Sequence, residues 1–276
     1  MKPGMSGATE TYRGIVAAWE CDVFDHLTIA YYFDRFPDAS AALRQKLGVE
    51  GGRTTGLVVR YLKELRAGDG LQIESGVLGE AAGGLLLGHR VIESATGDVT
   101  STVEETLGLD APPAALDLFR VDWEKPTGDD PPMPTGWVGF VDTGRDAVRP
   151  AETTAKGGLS IPGYVHRFSG ACLQLVTRFG MTPAYMRGAR RGFSTFETRL
   201  RLEAPRPRAG DLLLVRSAVA QLGNSSIRIV HRMLDARTDA PVATFHQSGV
   251  HFDMDARRSA PWPEELRQKG RAMIAP

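Results

Sequence analysis

DHLTIAYYFDRFPDASAAL, residues 25–43, lies over GGLSIPGYVHRFSGACLQL, residues 157–175, without a gap. Leu27/Leu159, Ile29/Ile161, Tyr32/Tyr164, Arg35/Arg167, Phe36/Phe168, Ala39/Ala171 and Leu43/Leu175 coincide. The match continues downstream. Arg66-Ala67-Gly68-Asp69 falls over Arg208-Ala209-Gly210-Asp211, and His89-Arg90 over His231-Arg232, at one shared offset. Asp110 meets Asp253 after a slip of one residue. Self-similarity on this scale identifies two copies of one structural unit.

Apolar residues in each copy of the stretch recur at helical spacing, which predicts helices over about Thr28 to Leu47 and Ser160 to Phe179, closed by Gly48 and Gly180. Thr28 stands at the N-cap of the first. Pro37 should kink that helix, at a cost of about 3 kcal/mol in a straight one. A short strand precedes each helix, roughly Thr11 to Trp19 and Val138 to Arg149. Four strand-like runs follow, Thr55–Leu65, Leu71–Gly79, Leu85–Ser94 and Val99–Leu109, then Phe193–Leu202, Leu212–Gln221, Ser226–Asp235 and Val242–Phe252 in the second copy. A strand, one long helix and a four-stranded meander predict an α+β class with a sheet curled around its helix.

The expected division is residues 1–110 and 137–254 for the two copies, a linker over 111–136 and a tail over 255–276. The linker is rich in Pro, Asp and Gly, yet Leu116, Leu118, Phe119, Val121 and Trp123 predict that its first part packs as a strap. The tail, RRSAPWPEELRQKGRAM, predicts a docked segment with a short charged helix.

With 276 residues and 42% apolar content the chain has material for real cores. Its 33 basic and 33 acidic residues leave no electrostatic footprint for nucleic acid or a membrane surface, so neither partner is expected. MKPGMSGATE carries no apolar leader and no run reaches membrane-spanning length, which predicts a cytoplasmic protein. Cys21 and Cys172 stand far apart without metal-ligand spacing, so neither zinc nor a disulfide is expected. Cys21 reads as a small half-buried residue at a strand end rather than a nucleophile.

In front of the first helix stands WECDVFDHLTIAYYFDRF, residues 19–36, in which Asp22 precedes His26 by four. A helix start presents unpaired N–H groups and the positive end of the helix dipole, so it can hold an oxyanion or a polarised carbonyl. In an arbitrary chain such an acid and histidine are an N-cap and a surface pair. The residues D-x-x-x-H-x-x-x-x-x-Y, here Asp22, His26 and Tyr32, with Arg60-Tyr61-Leu62-Lys63-Glu64 and Gly68-Asp69 downstream, resemble the hotdog-fold thioesterases of the 4-hydroxybenzoyl-CoA and acyl-ACP thioesterase group. That group's patterns are approximately D-x-x-G-H-x-N-x-x-x-Y and R-Y-L-x-E-x-x-x-G-D. The likeness spans nearly the whole chain, as a tandem double hotdog.

The resemblance implies an acyl-CoA or acyl-carrier-protein substrate and hydrolysis to free acid and thiol. It places the catalytic carboxylate on Asp22, the histidine on His26 and, for the acyl-ACP branch, a further glutamate on Glu64. Asp22 attacks the acyl carbon or activates water; sequence leaves both open. His26 donates to the carbonyl or holds Asp22, and N–H groups near Leu27 and Thr28 supply the oxyanion hole. Tyr32, Phe33, Phe36 and Leu57 are expected along the acyl pocket, with Phe193, Thr195 and Glu197 completing it between paired copies. No metal or redox cofactor is implied, and chains of this kind associate further into homo-oligomers.

Two departures stand out. Asp25 replaces the usual glycine, a position aspartate tolerates at positive φ, and Thr28 replaces the usual asparagine. In the second copy Thr154 lies over Asp22 and Gly158 over His26, so that copy is expected to keep the structure without the chemistry. Glu64 in KELR also reads as a solvated salt-bridging residue, and His89 and His231 as strand residues beside Arg90 and Arg232. Rival functions are a non-catalytic acyl-thioester binding module and a double-hotdog hydratase or dehydratase. The latter's pattern, with Asp and His five apart around Asn-Pro, is not the spacing here.

Overall fold

The computed structural model describes residues 7–49, 51–81, 83–109, 113, 115–125 and 131–275. Asp110, and with it the alignment on Asp253, lies outside them, as do the first two residues of the linker. The chain divides into two compact units, Met1–Gly128 and Asp129–Pro276.

The first unit contains β1 (Thr9–Ile15), a 3-10 turn (Ala18–Glu20), α1 (Ile29–Leu47), β2 (Arg53–Tyr61), β3 (Gly70–Ala81), β4 (Gly84–Glu93) and β5 (Val99–Gly108). Its strands order as β1-β3-β4-β5-β2, every pair antiparallel. The second contains β6 (Val141–Ala147), a 3-10 turn (Pro150–Glu152), α2 (Ile161–Arg178), α3 (Pro183–Ala189), β7 (Arg191–Leu202), β8 (Leu212–Leu222), β9 (Ser226–Asp235), β10 (Pro241–Asp253), β11 (Arg258–Ser259) and α4 (Glu264–Arg271). Its order, β6-β8-β9-β10-β7, repeats the first strand for strand, with β11 added on β10.

In each unit the strands alternate buried and exposed positions, and the buried set meets the helix. Leu43 and Leu47 of α1 pack with Val77, Leu85, Leu87 and Leu107 in one cluster. Each such leucine contributes about 2 kcal/mol by leaving water. Leu175 and Val176 of α2 and Phe179 at its C-cap do the same with Val219, Ile227 and Ile229. The helix α1 continues through Pro37 as a single element, because Phe33, Phe36, Ala39 and Leu43 on both sides of the proline are buried. It ends on Gly48 at φ 68°, a left-handed C-cap that glycine adopts without steric cost.

The strap and the docked tail are both present. Leu116 joins the first core, Val121 N–H donates to Val77 O at 3.0 Å, and the Arg90 guanidinium lies 4.4 Å from the Trp123 ring centre. Leu118, expected in the strap, is exposed instead. In the tail, Trp262 and Leu266 enter the second core. There Tyr185 Oη donates to His251 Nε2 at 2.9 Å while Nδ1 donates to Ala260 O at 3.1 Å, a tautomer that lets the ring bridge α3 to the tail. Helix α3 was absent from the periodic reading, although Thr182-Pro183 is a cap followed by a first-turn proline, and Thr182 Oγ1 accepts from Tyr185 N–H at 3.1 Å.

Candidate active site

Residues 20–28 form a closed loop between the 3-10 turn and α1. Asp22 N–H donates to His26 O at 2.9 Å, Asp25 N–H to Asp22 O at 3.0 Å, and Thr28 N–H to Glu20 O at 3.0 Å. Asp25 sits at φ 62°, the left-handed conformation expected of it. The second unit draws the same loop bond for bond, with Thr154 N–H to Gly158 O, Gly157 N–H to Thr154 O and Ser160 N–H to Glu152 O, and Gly157 at φ 79°. The backbone is thus common to both units, and the side chains differ.

A buried cation braces each loop. Arg35 of α1 donates to Glu20 Oε2 at 2.6 Å, Tyr31 O at 2.6 Å and Ile15 O at 3.1 Å. Arg167 does the same for Glu152 and adds Asp146. Glu20 also accepts from Thr28 through its carbonyl, so Arg35 and the start of α1 are tied through one residue. The aligned pairs Glu20/Glu152 and Arg35/Arg167 were the signal for this brace.

Only the first unit carries the acid and the histidine. Asp22 is exposed, and its Oδ1 accepts from Phe24 N–H at 2.8 Å and His26 N–H at 3.1 Å. Its Oδ2 points to no described partner. The His26 ring makes no described hydrogen bond to Asp22; its Nε2 lies 3.2 Å from Glu64 Oε2 and 3.1 Å from an Arg66 guanidinium nitrogen. Glu64 stands just past the end of β2 rather than in the strand. Arg66 lies 3.9 Å from both Asp25 Oδ2 and Glu64 Oε2. In the second unit Arg206 occupies the aligned position of Glu64, and a Cβ on Gly158 would come within 3.1 Å of its side chain. Removal of the histidine and its replacement by arginine packing go together there.

Several expectations need correction. The N–H groups of Leu27 and Thr28 are committed, the first to Leu65 O at 2.8 Å and the second to Glu20 O, so neither can hold an oxyanion. Thr28 occupies the N-cap position but its hydroxyl donates to Glu20 O at 2.5 Å instead of accepting from the helix, whereas Ser160 accepts from Gly163 N–H. The next donors along α1, Ile29 and Ala30 N–H, make none of the described hydrogen bonds. Phe33, Phe36 and Leu57 are 0–2% exposed and belong to the core rather than to an open pocket. Tyr32 is buried against Tyr61, ring centres 5.2 Å apart, and burial pushes its phenol well above the ordinary value. Thr195 accepts from Gln247 Nε2 at 2.7 Å, and Glu197 Oε1 accepts from Arg199 Nε at 2.9 Å.

His89 and His231 are strand residues of β4 and β9 beside Arg90 and Arg232, as expected. Each lies buried beneath its helix. Ser75 Oγ and His89 Nδ1 are 2.6 Å apart, and His89 Nε2 and Glu105 Oε2 are 3.2 Å apart. Glu105 Oε1 accepts from Thr54 at 2.5 Å and Ser40 at 3.1 Å. This serine, histidine and glutamate have the connectivity of a hydrolytic triad, but all three are at most 1% exposed and Thr11 occupies the serine hydroxyl at 2.6 Å. It is a structural network that no substrate reaches. In the second unit Ser217, His231, Gln247 and Thr195 take the matching places, without a carboxylate, and burial drives the His231 pKa down to about 3. Burial and the carboxylates of Asp25, Asp22 and Glu20 raise the Cys21 thiol, which disfavours the thiolate a nucleophile needs.

A cavity of about 480 Å³ lies along β6 and α2 in the second unit, lined in part by Arg145, Arg149, His166 and Gln174, and includes neither Asp22 nor His26. Among the described residues no helix is long and apolar enough to cross a membrane.

Residues 148–270, most of the second unit, match the family model of the thioesterase-like superfamily. Among solved structures the chain is similar to a putative oleoyl thioesterase from Lactobacillus plantarum, with TM-score 0.64 at 11% identity, covering 90% of this chain and 97% of that one. It is also similar to an acyl-ACP thioesterase from Bacteroides thetaiotaomicron, with TM-score 0.65 at 9% identity, covering 88% and 97%. A third is the 12:0-ACP thioesterase from Umbellularia californica, TM-score 0.62 at 10% identity, covering 88% and 94%. No curated protein sequence gives a significant match. Likeness at these identities establishes the fold, a double hotdog with the antiparallel sheets and long helices described above. The family match falls on the hotdog unit that lacks the acid and histidine, and the other unit shares its topology and its loop.

Proposed function

We propose that this double hotdog hydrolyses an acyl thioester, of coenzyme A or of a carrier protein, at the loop before α1. The observation that carries the reading is the shared loop: the same backbone in both units bears Asp22 and His26, with Glu64 against the histidine, in the first alone. The match of residues 148–270 to the thioesterase-like family model and the thioesterases of like fold support the reaction class.

Asp22 offers Oδ2 to the acyl carbon or to a water, while two N–H donors on Oδ1 fix the carboxylate's direction. As nucleophile it forms a mixed anhydride as the C–S bond breaks and thiolate leaves, and water then cleaves the anhydride. As base it takes the proton of a water that attacks the carbonyl directly. Ile29 and Ala30 N–H, at the positive end of α1, are the donors suited to the developing oxyanion. His26, oriented by Glu64, is a proton donor for the carbonyl or the departing thiolate. Thiolate is a fair leaving group, so neither a metal nor a redox cofactor is required.

The test is thiol release from a panel of short, long, branched and aryl acyl-CoAs and their carrier-protein counterparts, by the wild type and by Asp22→Asn. Turnover reduced about 10²-fold or more in the variant is expected, the scale of losing a base or nucleophile. Turnover untouched by the substitution removes Asp22 from the mechanism. Binding of acyl-CoA without any turnover assigns the chain to the non-catalytic class.

A further inference from the structure

Resting on that reading, we propose that Arg66 is a specificity residue that recognises the phosphate of the substrate's pantetheine arm, and that engaging the phosphate releases His26 to donate to Glu64. The argument begins with one nitrogen. His26 Nε2 lies within hydrogen-bond distance of Arg66, which carries donors only, and of Glu64 Oε2, which accepts when ionised. Without a proton Nε2 accepts from Arg66, and with one it donates to Glu64. It cannot satisfy both.

Arg66 is built to move. Its main chain is pinned by its N–H to Asp69 Oδ2 at 2.7 Å and by Asp69 N–H to Arg66 O at 3.0 Å, and the turn is tied by Gly68 N–H to the carbonyl of Val16, the residue after β1. Its side chain is 45% exposed, and its two carboxylate neighbours stand at 3.9 Å, beyond hydrogen-bond distance. His26 is therefore its one described close side-chain partner. The other cations with described pairings are engaged, Arg35 by Glu20 and Lys63 by Asp98 at 2.6 Å.

The surroundings define the ligand. Asp22, Asp25 and Glu64 make this face acidic, so an anionic arm reaching Asp22 needs a cation at the rim. A phosphate offers a planar guanidinium two charge-assisted bonds in place of one bond to an imidazole. The phosphate belongs equally to a carrier protein, as a diester to serine, and to coenzyme A, as part of a pyrophosphate. When Arg66 turns to it, Nε2 loses a competing cationic donor, and a protonated Nε2 gains its hydrogen bond to Glu64. With Nε2–H held by Glu64, Nδ1 is the nitrogen that can donate to the carbonyl or the thiolate once the ring has taken a second proton from solvent, and the carboxylate supports that state only when the correct arm is bound.

Two measurements test this. In the first, kcat/KM is compared for a phosphate-bearing thioester and for the matched N-acetylcysteamine thioester, which has no phosphate. Arg66→Gln should lower the ratio about 10- to 100-fold, chiefly through KM, the span of one or two lost charge-assisted bonds. Running the phosphate-bearing substrate both as acyl-CoA and as acyl carrier protein identifies the source. Equal loss on the truncated and phosphate-bearing thioesters, or no loss on either, overturns the proposal. In the second, the His26 side-chain nitrogens are followed by ¹⁵N NMR as pantetheine 4′-phosphate or plain pantetheine is added. Nε2 should shift toward its protonated signature with the phosphate alone, and not in Arg66→Gln. This readout needs no turnover, so it stands if hydrolysis itself is disproved; an unmoved Nε2 signal rejects the role of Arg66.

Discussion

Glu105 offers the sharpest test of what holds the first unit together. Its carboxylate accepts from Thr54, Ser40 and the His89 ring in a site about 1% exposed. Glu105→Ala strands three polar groups in the core. Breaking a buried pair by removing one member costs about 3–5 kcal/mol. For a unit of about 130 residues, with an unfolding entropy near 2.1 cal/mol/K per residue, 4 kcal/mol corresponds to a fall of about 15 °C in Tm. Glu105→Gln should behave differently, because the second unit already works with Gln247 in that place and the hydroxyls can turn to meet an amide. An expected cost of about 1–2 kcal/mol follows from one weakened charge-assisted bond.

The two variants also separate by pH. Burial opposes the charge on Glu105, but the hydrogen bond and charge of His89, with Thr54 and Ser40, outweigh it and hold the carboxyl below its usual 4.5. A folded pKa lower than the unfolded one adds stability above the unfolded value, and that stability disappears as pH falls through the folded value. Urea unfolding of the wild type between pH 7 and pH 3 should therefore lose a component that Glu105→Gln lacks. Fluorescence with Trp123 as the reporter in the first unit measures it. Equal costs for Ala and Gln, an Ala variant costing less than 1 kcal/mol, or an unchanged acid limb in Glu105→Gln would refute the reasoning.

Further expectations follow from the same geometry. His26→Ala should reduce kcat by about 10²-fold and Glu64→Gln by less, since glutamate acts only through the ring, and a double variant should cost no more than His26→Ala alone when thiol release is measured. Arg35→Met leaves Glu20 buried beside the helix start without its cation, and should destabilise the first unit by about 3–5 kcal/mol in chemical denaturation. Gly76→Val should displace the strap, because even a Cβ there would stand 2.5 Å from Val121, with a cost of about 1–3 kcal/mol and faster proteolysis after Phe119.

How far the molecule could be read from its sequence depends on which forces write periodic patterns. The repeat exposed both helices and all ten long strands, because burial of alternate strand residues and of one helical stripe leaves a trace at fixed spacing. Bounds slipped where polar contacts end an element: β2 stops at Tyr61 rather than Leu65, since Leu62 and Lys63 N–H both turn to Thr100 O and Glu64 is left to meet His26. Asp22, His26, Asp25 and Glu64 were visible as residue types at suggestive spacing. The oxyanion donors were not, because which N–H of a helix start is unclaimed depends on carbonyls contributed by Glu20 and by Leu65, 38 residues beyond Leu27. The buried histidine network was missed for a related reason. Histidine followed by arginine looks amphipathic in one dimension, and only the pairing of β3, β4 and β5 sets Ser75, His89 and Glu105 side by side on the inner face. Arg66 illustrates the limit most clearly. Its match with Arg208 marked it as part of a turn common to both copies, and the turn is indeed common, with each arginine N–H bonded to its aspartate at 2.7 Å. What distinguishes the two is the partner across the loop: a histidine in the first unit and a glycine in the second. A repeated backbone can therefore carry chemistry in one copy and packing in the other, and the difference rests on the side chains at aligned positions 22 and 154, 26 and 158, and 64 and 206.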